Sequence, residues 1–272
     1  MQLKAVTYAS AERIATITLN RPHRMNAWTG RMHTEYRWCL AQAEADSDVR
    51  VIIVTGAGRA FCAGADAAAL EGHIEKGGYD PGTNAAELAM PGFGAQPEFD
   101  ANFAYHFGLT KPVIAAINGP AAGVGLVLAC FADLRFAVAG AKLTTAHGKL
   151  GLPAEYGLSW LLPRLIGVTH ANDMLLSSRV VLAEEAQRMG LLNGCFETVE
   201  EMLDHARGYA GMLATQVSPS SIKETKRQIY RDLHQDAASA VRDSEDLLNR
   251  MMTEPEYREG VRALVEKRPP RF

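Results

Sequence analysis

The chain has few cysteines, and none of them lies near another in sequence. Its four are Cys39, Cys62, Cys130 and Cys195, which sit mostly among apolar neighbours and form no CxxC pair. Widely separated cysteines in apolar surroundings are typical of reduced, buried thiols. We therefore expect neither a disulfide framework nor a structural zinc site.

A strong net charge and a long apolar run are also missing. The formal net charge is −3 over 272 residues, so the chain has no overall basic character of the kind that attracts nucleic acid. The longest apolar run, residues 121–132, is interrupted by glycines and is too short to span a bilayer. The N-terminus shows no charged-then-apolar signal pattern. We expect a protein of the cytoplasm that binds neither nucleic acid nor membranes.

Apolar patterning indicates an α/β protein. With 47% hydrophobic residues, a chain of this length can bury a large core as one domain, or one domain with a tail. Helical segments around 29–45 and 124–131 alternate with strand-like runs, an arrangement typical of α/β folds. The predicted strands are Ile14–Leu19, Val51–Val54, Val113–Ile117 and Leu134–Val138. After about residue 200 only helical patterns follow, with a break at Ser218 and Pro219. Residues 71–97, rich in glycine and proline, predict a mobile loop near the site.

Two glycine-bracketed loops are the most informative feature of the sequence. Residues 56–66 read GAGRAFCAGAD and residues 118–125 read NGPAAGVG, and each loop follows a strand-like run and opens into an apolar helix. Their small residues leave main-chain N–H groups accessible, and the helix dipole favours negative charge there. Together the loops can form an oxyanion hole. A dinucleotide-binding loop is not supported, because Phe61 occupies the third glycine position.

Both loops resemble the signature of the enoyl-CoA hydratase/isomerase (crotonase) superfamily. Further segments continue the resemblance in the same order, from about Lys4 to about Lys267. They are RPHRMNAW (21–28), ADLRFAVAGAKLTTA (132–146), YGLSWLLPRLIG (156–167), LAEEAQRMGLLN (182–193) and VEKR (265–268). The resemblance implies a crotonase-like spiral of ββα units over residues 1–200, carrying an acyl-CoA site. A C-terminal helical oligomerisation region would follow over residues 201–272.

The resemblance also implies which partners and residues the site uses. The expected partners are an acyl-CoA substrate and further copies of the chain, in a homotrimer or a dimer of trimers. No metal is expected, and no cofactor is expected because CoA is part of the substrate. The thioester oxygen would be held by the N–H groups of Ala65 and Val124, where the family often has glycine in place of Val124. The alternative is that both loops are only tight turns between a strand and a helix.

The proton-moving group departs from the best-known hydratases of this family. They place one glutamate in the helix after the second loop and another near the next strand end, where this chain has Val127 and His147. Glu155 instead aligns with the acidic residue used by enoyl-CoA and dienoyl-CoA isomerases, and by an aroyl-CoA dehalogenase as an aspartate nucleophile. Its apolar neighbours between 152 and 160 favour a raised pKa. We predict Glu155 as the base rather than a surface carboxylate, with His147 as a secondary candidate or a structural residue.

The CoA moiety has four candidate contacts in the matching segments. Arg24 and Lys267 match positions that contact the nucleotide and its phosphates, the second often from a neighbouring subunit, and point charges suit phosphates. Ala63 and Asp66 match the loop along the pantetheine and adenine. A solvated surface role is the alternative for both cations.

For three other residues near these motifs, the sequence gives weaker evidence of a role in the site. Tyr105 and His106 can line an acyl pocket or a helix packing face. Cys62 has no nearby histidine in sequence and suits small-residue packing better than nucleophilic catalysis. We exclude it from the chemistry.

Three functional hypotheses remain open from the sequence. The first is double-bond isomerisation or water addition on an enoyl-CoA, as in fatty acid β-oxidation. The second is another acyl-CoA reaction such as decarboxylation, carbon–carbon cleavage or dehalogenation. The third is a non-catalytic CoA-binding protein, against which Glu155 argues.

Overall fold

The computed structural model describes residues 1–77, 92 and 95–272. These residues form nine strands: β1 (Val6–Ala11), β2 (Ile14–Leu19), β3 (Val51–Gly56), β4 (Val113–Ile117), β5 (Ala121–Ala122), β6 (Leu134–Val138), β7 (Lys142–Thr144), β8 (Val181–Leu182) and β9 (Gly194–Phe196). They also form nine α-helices: α1 (Gly30–Ala45), α2 (Ala67–Lys76), α3 (Val124–Cys130), α4 (Leu158–Ser177), α5 (Ala183–Arg188), α6 (Val199–Gln216), α7 (Pro219–Asp232), α8 (Ala237–Met251) and α9 (Pro255–Glu266). The predicted α/β class is confirmed.

A six-stranded sheet brings the two glycine loops to one edge. Its strand order is β1-β2-β3-β4-β6-β9, and only the β1–β2 pair is antiparallel. In the parallel part, Val54 of β3 pairs with Ala115 of β4. Strands that run parallel end at the same edge of a sheet, so the loops that follow β3 and β4 are neighbours. A smaller sheet, ordered β5-β7-β8, is formed by strands that lie between β4 and β9 in sequence.

The central strands are buried on both faces, as continuous apolar runs in parallel sheets require. Val51, Ile53 and Ile114 pack on one face against α6. That helix presents Met202, Ala206, Ala210 and Ala214, which recur every four residues and therefore share one stripe. Helix α6 lies almost wholly within residues 201–272, the predicted C-terminal helical region, yet it packs on the six-stranded sheet. The division at residue 200 stays a prediction.

Most predicted elements appear with small changes in their bounds. Strands β2, β4 and β6 have the predicted limits, whereas β3 extends to Gly56. Ser218 caps α7 by accepting a hydrogen bond from the Ser221 N–H, and Pro219 occupies the first turn, where a missing N–H costs nothing. The loop predicted for 71–97 begins too early, because α2 continues to Lys76. Residues 78–91 and 93–94 of that prediction lie outside the described residues.

The longest of the described helices, α4, is interrupted within its length. Helix α4 contains Pro163, and Gly167 adopts φ 71° and ψ 161°, which is not helical. Glycine is suited to this conformation because it has no Cβ. In the part of the chain that the structure describes, no helix is long and apolar enough to cross a membrane.

Candidate active site

Two buried asparagines brace the first glycine loop. The Asn26 side-chain N–H₂ donates to the carbonyl oxygens of Ala57 (2.9 Å) and Ala60 (2.7 Å). From the other side, Asn118 Oδ1 accepts from the Gly56 N–H at 3.0 Å. The Asn118 N–H₂ donates to the Gly58 carbonyl at 2.9 Å. Both side chains satisfy loop carbonyls that burial would otherwise leave unpaired, so the loop has one well-defined path.

The second glycine loop is joined directly to the first. Cys62 N–H donates to the Pro120 carbonyl at 3.1 Å, and Ala122 N–H donates to the Cys62 carbonyl at 3.0 Å. Close approach requires glycine at Gly125, because a Cβ built there would lie 2.2 Å from the Cys62 carbonyl oxygen. A larger residue would push the loops apart.

Backbone geometry leaves the N–H groups of Ala65 and Val124 available. Trp28 donates to the Gly64 carbonyl at 2.7 Å and accepts from the Asp66 N–H at 2.9 Å. In such a parallel bridge the intervening Ala65 N–H faces away from Trp28. Val124 is the first residue of α3, where an N–H has no partner within the helix. Among the described residues, neither group donates a hydrogen bond.

Glu155 is the predicted catalytic side chain that lies where the loops meet. Its Oε2 is 3.8 Å from the position of a Cβ built on Gly123, and that same position is 4.0 Å from the Gly64 Cα. The carboxylate reaches this place from a short 3₁₀ turn, Glu155–Gly157, in which Tyr156 and Gly157 have positive φ. Burial raises the pKa of the Glu155 carboxyl above its ordinary value, and the charge of His147 opposes part of the rise.

His147 is close to Glu155 and is held by one ring nitrogen. Its Nε2 lies 3.0 Å from the Leu175 carbonyl oxygen, which can only accept, so Nε2 carries the hydrogen. The buried Nδ1 has no hydrogen-bond partner in the part of the chain that the structure describes. The residue is 5% exposed and therefore combines a structural hydrogen bond with one unused nitrogen.

The position of the family glutamate in the helix after the second loop is apolar and closed. Val127 is fully buried in α3, which contains no ionisable carboxylate in its sequence VGLVLAC. Of the wall predicted around Glu155, Leu158 is buried, whereas Leu152 and Pro153 are exposed. The carboxylate is thus half-buried rather than enclosed.

Two of the four candidate CoA residues, Ala63 and Asp66, lie in the first glycine loop, and Arg24 lies in the segment 21–28, close enough for its charge to act on Asp66. Ala63 is exposed and donates its N–H to the Met25 carbonyl at 3.0 Å. Asp66 carries a pKa below its ordinary value: burial raises it, but hydrogen bonds from Arg21 and Ala68 and the charge of Arg24 outweigh burial. Arg24 itself is exposed.

The fourth candidate CoA residue belongs to a different part of the chain. Lys267 is exposed at the end of α9, with φ 51°. Within the described residues its ammonium group forms no ion pair or hydrogen bond.

Sequence reasoning missed Arg21 and the two asparagines. The guanidinium of Arg21 donates to Asp66 Oδ2 at 2.9 Å and to the Ala27 carbonyl at 2.7 Å, and so links the segment 21–28 to the first loop. Arg21 lies in the motif RPHRMNAW, and Asn118 begins NGPAAGVG. The position of these residues within the matching motifs was therefore the signal that could have identified them.

Other residues named from the sequence are placed in the core. Tyr105 and His106 are 0% and 1% exposed, which agrees with a packing role. Cys62 is also buried, and burial raises the pKa of its thiol to about 12. It stays protonated near neutral pH, as its exclusion from the chemistry requires. All four cysteines are free thiols.

Known proteins resemble this chain over most of its length. Residues 9–272 match the family model described as enoyl-CoA hydratase/isomerase. The chain is 35% identical over 261 residues to the 1,2-epoxyphenylacetyl-CoA isomerase of Escherichia coli K12, covering 95% of this chain and 94% of that protein. It is 38% identical over 267 residues to a probable enoyl-CoA hydratase of Mycobacterium bovis, covering 95% and 89%. A probable enoyl-CoA hydratase/isomerase structure from Mycobacterium abscessus matches with a TM-score of 0.84 at 30% identity, covering 98% of both chains.

Proposed function

Because the chain belongs to the enoyl-CoA hydratase/isomerase family and is an acyl-CoA enzyme of that kind, we propose that it moves a double bond in an enoyl-CoA. Glu155 is the proton carrier of this reaction. The observation that carries the proposal is the position of its carboxylate, 3.8 Å from the Cβ position of Gly123 at the junction of the two glycine loops.

The reaction needs one carboxylate and two backbone donors. Glu155 takes a proton from the acyl carbon chain, and the electrons of that C–H bond shift into the conjugated thioester to form an enolate. The N–H groups of Ala65 and Val124 donate to the enolate oxygen, where charge develops. Glu155 then returns the proton to a different carbon, so the atoms balance and the enzyme is regenerated. Its raised pKa brings the carboxylate closer to the acidity at which proton transfer in both directions is efficient.

Water addition is a second candidate, and one observation favours it. The buried Nδ1 of His147 has no hydrogen-bond partner among the described residues, and His147 is near enough to Glu155 to act on its carboxyl electrostatically. A water molecule held by that nitrogen and by Glu155 would be placed to add to the double bond. Isomerisation remains the preferred proposal because Val127 and His147 occupy the two positions where the two-carboxylate hydratases have glutamates.

Recognition of the CoA moiety is assigned to charged and small residues. Arg24 and Lys267 would contact its phosphates, while Ala63 and Asp66 would lie along the pantetheine and adenine. Asp66 is held in place by Arg21 at 2.9 Å. Several large apolar side chains of α8 and α9 are exposed, including Leu248, Leu264 and Val265. Such a surface suits contact with further copies of the chain, in a trimer or a dimer of trimers.

The test follows products from trans-2-enoyl-CoA and trans-3-enoyl-CoA of several chain lengths by chromatography and mass spectrometry. We expect interconversion of the two isomers by the intact protein. Glu155→Gln should lose about 10²- to 10⁴-fold in kcat, the range typical of general acid–base groups. Glu197→Gln, which neutralises an exposed carboxylate, is the matched control and should keep full activity.

Each other outcome selects a different hypothesis. A 3-hydroxyacyl-CoA as the main product would replace isomerisation by hydration, and His147→Gln would then be the next variant. Full activity of Glu155→Gln would exclude Glu155 as the base. Binding of acyl-CoA without turnover of either isomer would favour another acyl-CoA reaction or a binding role.

A further inference from the structure

The turn that carries Glu155 is packed against an aromatic ring from a distant segment. Tyr156, the next residue after Glu155, meets Phe103 edge to face, with ring centroids 5.1 Å apart and an interplanar angle of 75°. Phe103 is 1% exposed and also contacts Trp28 at 5.7 Å. Trp28 in turn pairs with Ala65 of the first glycine loop. The buried Phe103 ring thus touches both Tyr156, in the Glu155 turn, and Trp28, the residue that pairs with Ala65.

Both residues of this contact adopt unfavourable backbone conformations. Tyr156 has φ 46° and ψ 37°, and Phe103 has φ 65° and ψ −37°. A bulky side chain at positive φ is strained, and the conformation persists only where the surrounding structure enforces it. Two such residues in direct contact, one beside the candidate base, call for a specific source of support.

A buried hydrogen-bonded pair supplies that support to Phe103. His106 Nδ1 lies 2.6 Å from the Phe103 carbonyl oxygen, and His106 Nε2 lies 2.7 Å from the Tyr36 hydroxyl. Since the carbonyl can only accept, Nδ1 carries the hydrogen and Nε2 accepts from the Tyr36 O–H. Tyr36 and His106 are 0% and 1% exposed, so water cannot easily replace either bond.

The pair keeps this arrangement across the physiological pH range. Burial lowers the pKa of His106 to about 4, with smaller effects of Phe103, Lys226, Asp133 and His33. Burial likewise raises the pKa of Tyr36 well above its ordinary value. The imidazole is therefore neutral and the phenol protonated, which are the forms that the two hydrogen bonds need.

We propose that Tyr36, His106 and Phe103 form a positioning relay that holds the Glu155 carboxylate at the junction of the glycine loops. The relay acts through the ring contact between Phe103 and Tyr156, and none of its members touches the reacting atoms. The proposal rests on the proposed function of Glu155 as the base. It assigns a role in catalysis to three buried residues that a packing description would treat as core.

The test removes the relay hydrogen bonds while keeping the ring volume. In Tyr36→Phe the hydroxyl is lost, so His106 Nε2 has no donor and the histidine is free to change tautomer. Because one hydrogen bond contributes about 1 kcal/mol, kcat should fall roughly five- to tenfold. KM should change less than about twofold, since binding contacts are untouched. The acidic limb of the kcat/KM profile should move to lower pH, because a looser turn exposes the carboxylate to water.

Two further variants separate positioning from stability. His106→Asn keeps an N–H that can donate to the Phe103 carbonyl and should retain most of the activity that His106→Leu loses. Tyr230→Phe is the matched control: it removes a buried hydroxyl that donates to Asp133 Oδ1 at 2.7 Å, outside the relay. It should lower the melting temperature but leave the pH profile unchanged.

The outcomes distinguish the relay from the proposed function. If Tyr36→Phe and His106→Leu lower the melting temperature while kcat and the acidic limb stay at their wild-type values, the relay is only structural and the inference is wrong. Should Glu155→Gln keep full activity, the proposed function itself fails. If His106→Leu does not fold, Tyr36→Phe alone decides, because it preserves the packing.

Discussion

The two halves of the candidate site are held in place by different means. The glycine loops are fixed by main-chain hydrogen bonds to each other and by the side-chain amides of Asn26 and Asn118. The Glu155 turn instead depends on positive-φ residues and on a ring contact with Phe103. Backbone donors thus come from a rigid junction, whereas the side chain that moves protons sits on a strained turn.

This difference fits the demands of the two roles. Donors to a developing charge are most effective when they need no reorganisation during the reaction. A proton carrier must exchange protons with two carbons and therefore has to reach both. Strained conformations concentrate at such functional positions and are supported by their surroundings. Variants of the loops should therefore damage folding, while variants of the turn should change chemistry.

Gly125→Ala is expected to have the largest effect on folding. The added Cβ would lie 2.2 Å from the Cys62 carbonyl oxygen, and backbone cannot yield as a flexible side chain does. Separation of the loops would break both hydrogen bonds between them, at a cost of at least about 2–3 kcal/mol. Chemical denaturation would measure the loss in the free energy of unfolding.

Gly208→Ala provides the control for that change. Gly208 lies in α6 with nothing within 4 Å of an added Cβ, so alanine should stabilise the protein by about 0.5–1 kcal/mol. Equal stability of Gly125→Ala and wild type would show that the loops are not held as tightly as the contacts indicate.

Asn118→Ala should have an intermediate effect and keep the chemistry largely intact. The change removes the acceptor for the Gly56 N–H and the donor to the Gly58 carbonyl. Leaving these buried groups unpaired costs about 1–3 kcal/mol. Thermal unfolding and kcat for enoyl-CoA would be measured together. Asn193→Ala is the control, because the Asn193 Oδ1 accepts a hydrogen bond from the Arg135 N–H in β6, away from the glycine loops. A large loss of kcat with unchanged melting temperature would contradict the division between rigid loops and a reactive turn.

Local patterns in the sequence were sufficient for the parts of the site that follow the chain. Apolar runs predicted β2, β4 and β6 with their observed bounds, and the glycine-rich segments marked both loops. Glu155 was singled out because it stands at the entry to the matching segment 156–167. These features depend on residues that are neighbours in sequence.

Contacts between distant segments were not predictable in the same way. The bond from Tyr36 to His106 spans 70 residues, and the sequence around His106 fits an acyl pocket and a helix packing face equally. Likewise, which ring nitrogen of His147 is used depends on Leu175 of α4, because the Leu175 carbonyl accepts the hydrogen bond of Nε2. Side-chain tautomers and ring contacts of this kind follow from tertiary packing, and a pattern of residue types does not specify them.

The smallest effect should be a pH-dependent gain of stability in Glu155→Gln. Burial raises the pKa of this carboxyl in the folded state, so the folded protein holds the proton more tightly than the unfolded chain. Its stabilising contribution is present below the ordinary glutamate pKa and is lost as pH rises through the raised value. Glutamine never ionises and avoids this loss. The melting temperature of Glu155→Gln minus that of wild type should therefore be larger above this window than below it. Glu197→Gln controls for removal of a charge, and a difference that shrinks with rising pH would show that Glu155 is stabilised as a carboxylate.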